Sequence, residues 1–181
     1  MEHLKYPIGT FTMPQQIDQD MRKNFIQVLQ ELPSLIQDTV KDLSTEQLQT
    51  PYREGGWTLL QVVHHLADSH MNEYIRFKLA LTEDQPTIKP FNEKKWAELP
   101  DSLQTDLAVS ISLLEAVHRR WVYLLRSLDE KDFSRSFIHP ESGKIIDLNQ
   151  ALALYAWHSK HHLAHITSLL ERMKALDNPA F

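Results

Sequence analysis

From Asp147 to Met173 the chain contains neither Gly nor Pro, and this stretch constrains the fold more than any other. Apolar residues fall at Leu148, Ala151, Leu152 and Tyr155, then at Ile166, Leu169, Leu170 and Met173, the spacing of one helical face. The segment therefore reads as one long helix with an inward stripe. Across its middle that stripe would pass through positions 158, 159 and 162, and two of these are histidine. Four of the ten histidines in the chain lie between Trp157 and His165. Residues four apart on a helix are about 40° apart around the axis and about 6 Å along it, so His158 and His162 project together. Two inward imidazoles can serve one metal ion. His161 and His165 form a second pair at the same spacing, and periodicity gives 158 and 162 only a modest preference. The zincin pattern H-E-x-x-H is absent, so the motif brings no built-in general base.

Composition narrows what such a helix can belong to. A length of 181 residues, with 42% hydrophobic and 24% charged residues, fits one globular domain spanning 1–181 with a substantial core. Only 4 glycines argue against a turn-rich β fold or a glycine-rich phosphate loop. A net charge of −5, with no basic patch interleaved with aromatics, argues against nucleic acid as the main partner. The absence of cysteine removes disulfides, thiolate nucleophiles and thiolate metal ligands, which leaves histidine and carboxylate. Met1–Gln16 has no apolar run and is not a signal peptide. No stretch approaches a membrane span of about 18 apolar residues, so a cytoplasmic protein is expected.

Residues 1–17 read as an extended arm lying on the domain. A first long helix is expected from about Gln19 to Leu43, with Pro33 kinking or breaking it at Leu32. Ser44 and Gln47 form a capping box for a short turn of helix. Gly55-Gly56 in the following loop suggests a backbone conformation with φ > 0. Thr58 and Gln61 then cap a second long helix running to about Leu81. On it His65 is flanked by Val62, Leu66 and Ser69 and points inward, while His64 shares a wetter side with Gln61 and Asp68. Asp68 is a candidate to orient a metal ligand, with a solvated charge as the equal alternative. Residues 82–100, with three prolines, form a long excursion containing a turn of helix around Glu93–Glu98, a lid, a pocket wall or a mere crossing. A third helix follows from about Leu103 to Leu128; its His118 has no partner at i±4 and reads as a surface or internally satisfied histidine. A small hairpin turning through Glu141–Gly143 precedes the last helix, where Asp147 and Gln150 repeat the capping pattern. Four long amphipathic segments without strong strands give an all-α four-helix bundle with two long connections. Histidines 65, 158 and 162 would then surround one position, the ligand count of a catalytic zinc-type site with an open fourth place.

The combination of Gly55-Gly56-Trp57-Thr58, Val63-His64-His65-Leu66-Ala67-Asp68 and the late His158-x-x-x-His162 resembles the DinB-like superfamily. Within it, Tyr6-Pro7-Ile8-Gly9, Thr50-Pro51-Tyr52-Arg53 and the run His64–His70 resemble the YfiT group, whose members carry a metal-dependent hydrolase label. The likeness covers essentially the whole chain. It implies a four-helix bundle and a metal held by the histidine immediately before Leu-Ala-Asp and by the late pair, here His65, His158 and His162. The run Leu163-Ala164-His165-Ile166 selects His162 over His161. It further implies zinc or nickel, a homodimer and a small-molecule substrate. For some relatives it implies thiol S-transfer with bacillithiol or mycothiol in place of hydrolysis. A three-histidine ion activating a bound water is the first expectation. A non-catalytic metal-binding interaction bundle, with a closed site, is the alternative of another class. The sequence assigns no catalytic residue; Tyr155 and Asp68 are the nearest candidates for helper roles.

Overall fold

The computed structural model describes residues 2–104 and 106–177. In chain order the elements are α1 (Glu2–Lys5), α2 (Gln19–Val40), α3 (Thr45–Leu48), α4 (Leu59–Thr82), α5 (Glu93–Trp96), α6 (Pro100–Gln104), α7 (Leu107–Ser127), α8 (Glu130–Phe133), β1 (Ser136–His139), β2 (Lys144–Asp147) and α9 (Leu148–Asp177). The expected four long helices are α2, α4, α7 and α9. Their starts follow the sequence signals. Ser44 and Thr58 each accept from the amide three residues on, while Gln47 and Gln61 reach back to the cap amide. Asp147 and Gln150 do the same for α9. β1 and β2 pair antiparallel, Ser136 opposite Asp147, around the anticipated turn. Two expectations shift. Residues 2–5 of the arm form a helical turn, and α2 passes through Pro33 without a break.

The four long helices enclose two apolar clusters. One contains Ile26, Leu29, Phe77, Trp121, Leu148 and Leu152. The other contains Leu32, Ile36, Val63, Leu66, Leu114 and Ile166. Chain order through the clusters gives the helix directions. α2 and α9 run from the first cluster to the second, whereas α4 and α7 run from the second to the first. Thus α4 and α7 lie parallel, as do α2 and α9, and each of these pairs packs together. A parallel successor cannot be reached by a tight turn, which accounts for the excursion between α4 and α7. It leaves beside the hairpin, where Ile88 N–H donates to the Ile138 carbonyl at 3.0 Å. It ends beside the start of α4, where Gln61 Nε2–H donates to the Ala97 carbonyl at 2.7 Å.

Between the clusters three of the long helices contribute polar side chains. α4 gives Ser69, His70 and Glu73, α7 gives His118, and α9 gives His158, Ser159, His161, His162 and His165. Most of these groups are buried, and an unpaired buried donor or acceptor costs about 1–3 kcal/mol. The layer is held by hydrogen bonds among its own members. Among the described residues no helix is long and apolar enough to cross a membrane.

Candidate metal centre

His65 on α4 and His158 and His162 on α9 converge where the polar layer meets the surface. One ring nitrogen from each lies within 4.8 Å of the other two. The Nε2 atoms of His65 and His158 are 3.3 Å apart. Two nitrogens bound tetrahedrally to one ion at 2.0–2.1 Å would be about 3.4 Å apart. The donor set therefore fits a divalent ion. Three neutral imidazoles are suitable ligands, and each ring here is kept neutral: burial lowers His65 to about 4 and holds His158 and His162 well below the usual histidine range. Among the described residues no fourth histidine or carboxylate joins the group, so one position faces the cavity.

The loop between α3 and α4 builds one wall. Gly55 has φ +64°, and a Cβ on Gly56 would stand 2.8 Å from Arg53 Cγ and 3.1 Å from the Arg53 carbonyl. The pair of glycines is therefore needed for a turn this tight. It closes with Tyr52 N–H donating to the Trp57 carbonyl at 3.0 Å. This places the Trp57 ring 4.7 Å from His65 and stacks Tyr52 on His165 at 4.0 Å. The cavity in front of the three histidines has a volume of about 660 Å³. Tyr6, Arg53 and Trp157 line it together with Glu93, Lys94 and Glu98 from the excursion, which is thus a pocket wall.

Other histidines support the rings from behind. Lys5 carbonyl accepts from His165 Nε2–H at 3.0 Å. Burial lowers His165, and in a neutral ring the remaining nitrogen, Nδ1, is an acceptor. It takes the hydrogen bond of His162 Nδ1–H at 3.3 Å, leaving Nε2 of His162 free for the site. Behind His158 stand His70 and then His118, with contacts of 3.1 and 2.8 Å.

The fold brings His65, His158 and His162 to one place and leaves His161 beside them. His161 stacks on Trp157 at 4.4 Å, and among the described residues its buried Nδ1 has no hydrogen-bond partner. His64, read as wet, is buried and paired with Ser110 Oγ at 2.7 Å. Asp68 is only half-buried; burial and the charge of Asp101 raise it to about 6, and among the described residues no hydrogen bond ties it to the histidines. The Tyr155 ring packs 5.3 Å from that of His158, but its hydroxyl is engaged by Ser69 at 3.2 Å. Sequence reasoning missed the contribution of His70, whose signals were its place one turn beyond Leu66 on a histidine-bearing helix and at the end of the His64–His70 run.

Comparison with known proteins gives the family. Residues 22–166 match the DinB superfamily. A Bacillus cereus (strain 03BB102) protein named "Putative metal-dependent hydrolase" is 55% identical over 173 residues, covering 96% of this chain and 99% of its own. The Bacillus subtilis (strain 168) protein YfiT, with the same name, is 52% identical over 171 residues, covering 94% and 96%. The solved structure of B. subtilis YfiT, described as "a probable metal-dependent hydrolase with an unusual four-helix bundle topology", superposes with a TM-score of 0.93 over 95% of this chain and 98% of that one. TT2238, a four-helix bundle protein 19% identical over 81% of this chain and 98% of its own, shares the fold with a TM-score of 0.57. This chain belongs to the DinB superfamily and, within it, to the YfiT group.

Proposed function

We propose that this protein is a metal-dependent hydrolase whose ion, zinc or nickel, is held by His65, His158 and His162. The observation that carries the reading is the convergence of three neutral imidazoles, two of their Nε2 atoms at tetrahedral-edge distance, with a fourth side open to a cavity. A structural site would be closed by a fourth protein ligand. When bound, the ion supplies Lewis-acid activation of a nucleophile, water in this reading. The chain's own residues fix the ligand rings from behind and shape the approach. Trp57 and Trp157 give apolar walls, while Arg53 and Lys94 offer positive charge to an anionic part of a substrate.

The test is elemental analysis of untagged protein with His65→Ala, His158→Ala and His162→Ala beside it. Wild type should hold about one ion per chain, and each variant should lose it while remaining helical. Purified metal-loaded protein is then screened against ester, amide and phosphoester probes with and without a low-molecular-weight thiol. Thiol-independent cleavage is expected. Consumption of an electrophile only when thiol is present would reassign the activity to S-transfer. Metal-free wild type that stays so after incubation with zinc and nickel would end the enzyme reading.

A further inference from the structure

Pro33 leaves one backbone carbonyl in the core without its helical partner. In an α-helix the amide of residue 33 would donate to the carbonyl of Leu29, and proline has no amide hydrogen. α2 nevertheless continues from Gln19 to Val40, with Leu29 and Pro33 both buried, so the carbonyl cannot turn to water. The missing hydrogen bond comes from a different helix: His118 Nδ1 on α7 meets the Leu29 carbonyl.

This contact has a direction. A carbonyl only accepts, so His118 Nδ1 carries the proton. A neutral imidazole has one N–H, which makes His118 Nε2 an acceptor, and its partner at 2.8 Å, His70 Nδ1, must donate. By the same rule His70 Nε2 accepts from His158 Nδ1–H at 3.1 Å. The nitrogen left on His158 is Nε2, and this is the atom that faces His65 Nε2. Neutrality holds along the chain, since His70 and His118 are 0–1% exposed and a charged imidazole buried so deeply is costly. The opposite tautomer would put a proton on Nε2 of His158, inside the site. It would also turn a lone pair of His118 against the Leu29 oxygen, in a part of the core that is 0–1% exposed.

We propose that Pro33, His118 and His70 position the ligand His158: the carbonyl freed by proline locks three histidines in the Nδ1–H tautomer and so presents the Nε2 lone pair to the ion. His70 and His118 touch neither ion nor substrate. No ring changes charge in this scheme; the fold only selects which nitrogen is bare. The inference rests on the three-histidine reading of the site.

The experiment combines ¹⁵N-histidine NMR tautomer assignment with zinc titration of the full chain. In metal-free wild type His118, His70 and His158 should all show protonated Nδ1 and bare Nε2, and zinc should leave their Nδ1 protons in place. His118→Leu removes both the donor and the acceptor. It is expected to mix the tautomers of His158 and weaken zinc binding by about 10–100-fold. His118→Gln keeps a donor for Leu29 and an acceptor for His70, so it should bind zinc within about threefold of wild type, a rescue that a packing role alone would not produce. Pro33→Ala restores a competing amide and should shift the His158 tautomer in the same direction as His118→Leu, without removing any ring. Protonated Nε2 on His158 in the metal-free wild type would overturn the inference. So would unchanged zinc affinity and an unchanged His158 tautomer in His118→Leu. Wild type that binds no zinc overturns the reading of the site itself, so the two failures are told apart by the wild-type titration.

Discussion

Behind His158 and Behind His162 the molecule uses the same polarity at very different depths. The two rings stand one turn apart on α9, and each is backed by a histidine that leads to a backbone carbonyl. For His158 the path crosses the core through His70, which is 0% exposed, and His118, which is 1% exposed, to the Leu29 carbonyl on α2. For His162 the path is one ring long and ends on the carbonyl of Lys5, in a four-residue helical turn with no buried residue. A carbonyl in the core has no other donor available, whereas one in α1 can exchange its partner for water. The comparison teaches that ligand orientation and global stability are joined on the α2 side and separable on the arm side.

The largest effect expected from breaking this contrast is on stability. His70→Leu strands His158 Nδ1 and His118 Nε2 away from water; at about 1–3 kcal/mol for each unsatisfied group, the metal-free protein should lose about 2–6 kcal/mol. His165→Leu strands one nitrogen of His162, and water can satisfy the Lys5 carbonyl, so about 1–3 kcal/mol is expected, half the loss of His70→Leu. Urea unfolding of both variants at neutral pH measures the difference. Equal losses would show that depth does not separate the two supports.

Acid should sharpen the same contrast. His118 is held neutral in the fold, at about 4 against about 6.5 when unfolded. A depressed histidine contributes stability that is fully present above pH 6.5 and is lost as pH falls through 4, because only the unfolded chain binds the proton readily in that window. The contribution of this one group reaches about 3 kcal/mol. Metal-free His118→Gln should therefore show a shallower fall in unfolding free energy between pH 6.5 and 4, by up to about one proton in the slope. A slope identical to wild type would mean that His118 does not titrate on unfolding.

Most of this frame was legible in the chain because its signals are local. The capping pairs Ser44/Gln47, Thr58/Gln61 and Asp147/Gln150 lie three residues apart, and the hairpin closes around Gly143. His158 and His162 were exposed by their place in an apolar stripe, and His65 by its apolar neighbours. What was not legible depends on partners distant in sequence. His118 had no neighbour at i±4, and its satisfaction comes from His70, 48 residues away, and Leu29, 89 residues away. Pro33 was read as a breaker, and the missing hydrogen bond is real. The helix persists because α7 supplies a donor to the orphan carbonyl, which the sequence of α2 alone cannot reveal. The parallel run of α4 and α7 was hidden for a similar reason: helix direction follows from which cluster each end enters. Only the length of the 82–100 excursion hinted at it.

The smallest effect should come from removing residues 1–9, which takes away the Lys5 carbonyl while leaving His65, His158, His162 and His165 in place. His165 Nε2–H would then donate to water, and water donates as readily as it accepts. The bias that makes His165 Nδ1 accept from His162 would weaken but not reverse, since His162 Nδ1 remains buried against that ring. Zinc affinity should therefore fall by less than about tenfold, the lower edge of what loss of a ligand's hydrogen-bond partner costs, and the urea midpoint should barely move. Tyr6, 5.9 Å from His161, is lost in the same truncation, so substrate affinity should change more than zinc affinity. A loss of zinc as large as that of His118→Leu would place the arm on a par with the core relay, and the asymmetry between the two ligands would disappear.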